Sequence, residues 1–284
     1  MSDFSACWPA PAKLNLFLHI TGRRDDGYHL LQSVFQFLDY GDTLRFTPRD
    51  DDLISEREPL AGVNWESNLI YKAAQLLRPR ARRFCGVTIG LDKRLPMGGG
   101  IGGGSSDAAT TLYALNHLWD CGLNEDELAA LGLTLGADVP VFIRGRAAWA
   151  EGVGENLTAV DLPEPWFAVI YPGVEIPTPK IFCHDGLTRD CRALTIRDFL
   201  AGAPVSNVCE PVAKKLYPAV AKAIDFLDNT APSGVARMTG TGSCVFAAYP
   251  DRSSAEKAVD RLPAPWRGFA AKSCNRSPLL EVVK

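Results

Sequence analysis

The segment Pro96-Met97-Gly98-Gly99-Gly100-Ile101-Gly102-Gly103-Gly104-Ser105-Ser106-Asp107 places six glycines in seven positions and follows them with two serines. Glycine loses more conformational entropy on ordering than any other residue, so an ordered run of it needs a reason. Close approach of backbone amides to an anion is one, and at a helix N-terminus that anion is most often a phosphate. A flexible linker is the alternative. Linkers do not usually lead into an amphipathic helix, and Ala108, Leu112, Leu115 and Trp119 fall on one helical face just behind this run. A serine at the junction is expected to cap that helix, with an acid in its first turn. Gly98, Gly100 and Gly103 match G-x-G-x-x-G, but Asp92-Lys93-Arg94-Leu95-Pro96 separates them from any strand, against a dinucleotide fold. No Gly-Lys-Ser/Thr follows and no His-Arg-Asp or Asp-Phe-Gly occurs, which excludes the P-loop and protein-kinase machineries.

Other residues have two readings each. Residues 12–20 alternate Leu14, Leu16, Leu18 and Ile20 with Lys13, Asn15, Phe17 and His19, the period of a strand with one buried face. Lys13 and Asn15 then project together from the opposite face, where most strand lysines are solvated. Asp138, between Gly136-Ala137 and Val139-Pro140, either terminates a helix or accepts the proton of an attacking hydroxyl. Gly240 and Gly242 flank Thr241 as a tight turn into a strand, or as a close backbone approach to a ligand. Asn68 opens a helix, and capping explains it fully.

The elements that must position these residues are mixed. Asp25-Asp26-Gly27 makes a turn, a helix runs from Leu69 to Leu77 before Pro79, and Val87–Leu91 is a short strand. Asn124 and Glu127 open a further helix that ends near Gly136, leaving Asp138 in the connection to an expected strand at Val139–Ile143. Asp161-Leu162-Pro163-Glu164-Pro165 is the candidate boundary, dividing the chain into 1–160 and 161–284. Beyond it come a strand from Phe167 to Tyr171, helices near 208–227 and 254–261, and strands near 243–249 and 268–273. Without a regular βαβ rhythm this is an α+β pattern.

With 46% hydrophobic and 22% charged residues, a net charge of -3 and a pI of about 5.9, the 284-residue chain has no broad basic face for nucleic acid. The run Arg78 to Arg83 reads as a solvated loop. No two of the eight cysteines are separated by only two residues, so no zinc or thioredoxin-type pattern exists. Met1–Ser5 lacks the character of a signal peptide, and the longest apolar stretch, Leu128–Ile143, contains Asp138 and is too short for a membrane span. A cytoplasmic protein with free thiols and no membrane or nucleic-acid partner is expected; the sequence does not give an oligomeric state.

Three motifs in order, Pro11-Ala12-Lys13-Leu14-Asn15-Leu16, the glycine loop from Pro96 to Ala109, and Met238-Thr239-Gly240-Thr241-Gly242-Ser243-Cys244, resemble those of the GHMP kinases. Asp26-Gly27-Tyr28-His29, Leu135-Gly136-Ala137-Asp138-Val139-Pro140 and Ile176-Pro177-Thr178-Pro179 are similar to the branch acting on a cytidine diphosphate-linked polyol in isoprenoid precursor synthesis. Residues 183–234 carry no such signature. The resemblance implies two domains, the first like domain 2 of ribosomal protein S5 and the second ferredoxin-like. It also implies ATP-dependent phosphorylation of a 2-hydroxyl on that substrate, with Mg2+. It puts Lys13 as a cation beside the reacting hydroxyl and Asp138, residues 96–106 on ATP, and Asn68 beside the adenine. Asn15, Tyr28, His29, Phe182, Gly240, Thr241 and Gly242 fall on the acceptor, with the three rings around cytidine, although ordinary packing explains a lone His or Phe equally well. No metal ligand is assigned: Ser106, Ser105 or water would each reach magnesium. Another GHMP small-molecule kinase and a non-catalytic GHMP-type ligand sensor are the rivals.

Overall fold

The alternation near the N-terminus forms a strand longer than its signal, β1 (Trp8–Arg23), paired antiparallel with β2 (His29–Arg49) across the turn at Gly27. The computed structural model describes residues 6–83, 86–232 and 234–282, so Met1–Ser5 and Cys85 lie outside the described residues. Down the chain follow β3 (Ile54–Glu56), α1 (Leu69–Leu77), β4 (Gly86–Asp92), α2 (Gly103–Leu118), α3 (Glu125–Leu135), α4 (Val139–Arg144), β5 (Ala148–Glu151), β6 (Asn156–Ala159) and β7 (Trp166–Tyr171). The remainder holds α5 (Thr178–Phe182), α6 (Ile196–Leu200), α7 (Glu210–Leu216), α8 (Pro218–Thr230), β8 (Ala236–Met238), β9 (Val245–Tyr249), α9 (Arg252–Val259), β10 (Arg267–Cys274) and α10 (Leu279–Val282).

The strands join in one path, β3-β4-β2-β10-β7-β9-β8, with β1 and β5 also on β2 and β6 on β5. Only the β3–β4 pairing is parallel among the described ladders. One core gathers α1–α4 against β2 and β4, around Trp119, Phe46 and Phe142. A second gathers α7, α8 and α9 against β7, β8 and β9, around Ile170, Ile224 and Leu227. A smaller apolar seam, with Leu14, Leu38, Ile101, Val169, Cys244 and Phe246, lies where residues of both parts meet. No helix among the described residues is long and apolar enough to cross a membrane. Cys7, Cys183, Cys191, Cys209, Cys244 and Cys274 are free thiols.

Four local expectations are corrected. First, β1 is buried on both faces: Lys13, Asn15, Phe17 and His19 are as covered as Leu14, Leu18 and Ile20. Other parts of the fold pack over the expected polar face, and register shifts at Pro11/Lys13 and Asn15/Leu18 re-aim its side chains. Second, Val139–Ile143 is helical, not a strand. A run of apolar residues this short has no diagnostic period, and its true markers are Pro140 at the helix start and Gly145 at φ 58° closing it. Third, no serine caps α2. Its N-cap is Gly102 at φ 74°, with Ser105 and Ser106 inside the first turn and no acid in that turn. Fourth, the helix expected near 208–227 is two, α7 and α8, broken at Tyr217-Pro218, since proline cannot continue a helical ladder. The Asn124/Glu127 capping box forms as read.

Candidate active site

A cleft of about 640 Å³ runs between the two cores and receives residues from β1, the glycine loop, α1, α2, α5 and the turn before β9. Of the residues singled out above, Lys13, Asn15, Asn68, Pro96 to Ser105, Asp138, Phe182, Gly240 and Thr241 line it. Tyr28, His29, Ser106 and Gly242 do not. Tyr28 is 64% exposed, and Ser106 is wholly buried within α2, its Oγ without a partner.

At the cleft floor the Lys13 ammonium lies 3.0 Å from Asp138 Oδ2 and donates to Asn15 Oδ1 at 2.6 Å, with the Phe35 ring 4.9 Å below it. A buried ammonium without compensation costs several kcal/mol, so this partner set is what allows Lys13 to sit 2% exposed. Asn15 is itself fixed: Nδ2 donates to Ser33 Oγ at 2.8 Å, and its backbone N–H donates to Thr239 Oγ1 at 2.9 Å. Asp138 occupies the N-cap position of α4, yet its side chain makes no capping bond. The carboxylate is therefore left for Lys13 and the cleft, which removes the helix-capping explanation of that residue.

The glycines divide into two groups. Gly99 O accepts from the Cys244 N–H at 3.0 Å, Gly100 O from Thr239 Oγ1 at 3.3 Å, and Ile101 O from the Lys13 N–H at 3.0 Å. A Cβ on Gly100 would sit 2.5 Å from Thr239 O, and one on Gly240 2.9 Å from Gly100 O. Thus Gly100 is small so that the loop can pack backbone to backbone on the glycine turn before β9, and Gly99 because a Cβ there would lie 2.7 Å from Cys244 Sγ. Gly242 belongs to that packing rather than to the cleft wall. Gly102, Gly103 and Gly104 line the cleft at the start of α2, and the amides of Gly103, Gly104 and Ser105 have no carbonyl partner within the helix. These amides and the helix dipole are what a bound anion would need. Asn68 performs two tasks: its Oδ1 caps α1 through the Ile70 N–H at 3.0 Å, and it lines the cleft.

Several residues had no signal in the sequence. Lys93 bridges two carboxylates, Asp42 Oδ2 at 2.5 Å and Asp107 Oδ2 at 2.9 Å, while Asp42 Oδ1 takes the N–H groups of Arg94 and Leu95. Burial pulls the Lys93 ammonium down, but the two carboxylates outweigh it and hold it above its ordinary value. Burial pushes the Asp107 carboxyl up to about 7, against the opposing pull of Lys93, and its Oδ1 has no partner. This buried knot ties β2 to the strand of chain entering the glycine loop and to α2. Asn207, also buried, donates from Nδ2 to Met238 O at 2.7 Å and Gly240 O at 2.8 Å, holding the glycine turn. Lone Asp, Lys and Asn residues far apart in the chain carry no spacing that would have found them. Thr178 Oγ1 and Thr241 Oγ1, both in the cleft lining, lie 2.9 Å apart. His29 stacks on Phe182 at 5.2 Å and accepts at Nε2 from Arg189 Nε at 3.1 Å.

A buried lysine paired with a cleft-facing carboxylate opposite a glycine-rich helix start, in a two-domain α+β fold, is the arrangement of a small-molecule kinase, and the chain belongs to the GHMP kinase family. Residues 68–146 match the GHMP kinases N terminal domain and residues 190–268 the GHMP kinases C terminal domain. It is 57% identical over 277 residues, 98% of each chain, to the 4-diphosphocytidyl-2-C-methyl-D-erythritol kinase of Nitrosococcus oceani. It is 56% identical over 271 residues, 95% of each chain, to the enzyme of the same name from Pseudomonas aeruginosa. A solved 4-(cytidine 5'-diphospho)-2C-methyl-D-erythritol kinase superposes with a TM-score of 0.83 at 34% identity, covering 94% of this chain and 99% of that one. A mevalonate kinase at 16% identity, with a TM-score of 0.66, shares the fold.

Proposed function

We infer that this kinase transfers the γ-phosphoryl group of ATP to the 2-hydroxyl of 4-diphosphocytidyl-2-C-methyl-D-erythritol. The observation that carries the reading is the Lys13–Asp138 pair at 3.0 Å on the floor of a cleft whose other wall is the glycine-rich start of α2. Residues 1–160 supply the nucleotide side and residues 161–284 complete the acceptor side. The triphosphate lies on the amides of Gly103, Gly104 and Ser105, with the adenine toward Asn68. Among the described residues no three His, Cys, Asp or Glu side chains converge on one centre. Mg2+ would be carried mainly by phosphate oxygens, its usual mode, with the Ser105 hydroxyl at the cleft within the same turn.

The acceptor oxygen attacks the γ-phosphorus, the bond to the β-phosphate oxygen breaks, ADP leaves, and the hydroxyl proton passes to Asp138. Phosphoryl transfer has a loose transition state, so orientation of the hydroxyl and charge stabilisation do most of the work. Lys13, held rigidly by Asn15 and Phe35, supplies the positive charge at that point. Asn15 and Thr241 bond the polyol and its phosphate, and Phe182 with Tyr28 and His29 takes the pyrimidine.

Asp138→Asn keeps the shape and removes the charge. It should lower kcat by at least about a hundredfold, close to 3 kcal/mol of barrier, with nucleotide affinity by calorimetry unchanged within about threefold. Retention of more than about a tenth of the wild-type kcat would remove Asp138 from the reaction.

A further inference from the structure

Arg189 lies in the stretch for which the sequence offered no signature, and its guanidinium is committed on every edge. Nε donates to His29 Nε2 at 3.1 Å, Nη1 to Leu187 O at 3.1 Å, and Nη2 to Phe182 O at 2.8 Å and His184 O at 2.9 Å. One cation thereby holds the backbone of Phe182 and the ring of His29, which stack on each other with 27° between their planes.

A guanidinium has no acceptor, so the His29 nitrogen facing it must present a lone pair. Burial, and then the charges of Arg189 and Arg23, hold the imidazole below its ordinary pKa and disfavour the imidazolium. A neutral imidazole with a bare Nε2 carries its proton on Nδ1. Nδ1 makes no hydrogen bond among the described residues.

We propose that Arg189 is a positioning residue that locks His29 as the Nδ1–H tautomer. It gives the acceptor site a fixed hydrogen-bond donor and selects cytosine, whose N3 accepts, over uracil, whose N3 donates. The inference rests on the cytidine reading above. A free imidazole would offer a proton on either nitrogen and fit both bases; a locked one leaves two donors opposed when uracil enters, and unmatched buried polar groups discriminate strongly.

The chain has four histidines, so 15N-histidine labelling with a His29→Ala control assigns this ring without ligand. The wild type should show a protonated Nδ1 and a bare Nε2, and Arg189→Ala should lose that state. The ratio of kcat/KM for the cytidyl substrate over its uridyl analogue should fall at least about tenfold in Arg189→Ala, with KM for ATP within about twofold. His29→Asn puts a fixed amide donor near the Nδ1 position, and in that background Arg189→Ala should leave the ratio nearly unchanged. An equal loss in both backgrounds would mean that Arg189 acts only by holding the 182–187 turn, and the inference would fall. A mobile tautomer in a wild type that still prefers cytosine also overturns it. A locked tautomer in a wild type blind to the base contradicts the acceptor reading instead. If Arg189→Ala does not fold, the wild-type tautomer decides alone.

Discussion

Lys13 and Asp138 are 125 residues apart in the chain, yet each sat in a local context that could be read: a polar residue in an alternating strand, and an acid within an apolar run. The residues that hold the site in place lacked such contexts. Asp42, Lys93 and Asp107 acquire meaning only when β2, the loop entrance and α2 are brought together. Two carboxyl groups and one ammonium meet there in a dry place, and burial raises Asp107 to about 7. An aspartate in the unfolded chain titrates near 3.8. Between those values the folded protein keeps a proton that the unfolded chain has lost. The stabilising contribution is therefore complete below the lower pKa and is lost as pH rises through the upper. Asp107→Asn removes the titration while preserving shape. Thermal unfolding of the wild type should decline more steeply than that of the variant from about pH 4 to pH 7. Parallel curves would show that Asp107 keeps an ordinary carboxyl in the fold.

At the scale of elements, the glycine loop reads in the sequence as a phosphate site and not as the packing surface that part of it also is. The sequence cannot separate glycines needed for a ligand from those needed by a neighbouring backbone, because both require only the absence of Cβ. The structure separates them. A Cβ on Gly102 would meet Phe142 Cζ at 2.7 Å and Lys13 Cε at 3.1 Å, at φ 74°, so its substitution disturbs α4 and the Lys13 side chain whatever it does to a ligand. Gly104 is exposed, helical, and its Cβ would meet only Leu69 Cδ1 at 3.7 Å. Gly104→Ala should therefore leave stability equal or slightly higher, by about 0.5–1 kcal/mol of helix propensity. It should still weaken nucleotide binding about tenfold, because a methyl group then covers a free amide. Unchanged affinity in calorimetry would place the triphosphate elsewhere. Helix α4 shows the complementary limit: its five buried residues, Val139 to Ile143, packed on α2 and α3, are apolar without a break, and their helical state was marked only by Pro140 and Gly145.

At the scale of the molecule, the α+β class and the second set of elements were legible from the mixture of periods. The long strand β2 was not, since Gln32 to Leu38 are buried without interruption and so show no alternation. That strand is what unites the fold. Through the β2–β10 ladder at Leu38–Ser273 and Phe37–Cys274, and the apolar seam beside it, the two cores share one sheet. Calorimetry should show a single cooperative unfolding transition, and two resolved transitions would mean that the seam does not couple the cores. On the function proposed, the cleft between them combines a nucleotide side and an acceptor side, and remote cytidine contacts orient the reacting hydroxyl. The decisive measurement is kcat/KM, by coupled ADP release, across the cytidyl substrate, free methylerythritol phosphate, mevalonate and homoserine. The account predicts that the cytidyl substrate exceeds each of the others by at least about a hundredfold, since removing the base removes the binding energy that positions the hydroxyl. A free sugar phosphate, mevalonate or homoserine turned over as efficiently would contradict it and leave only the membership of the kinase family.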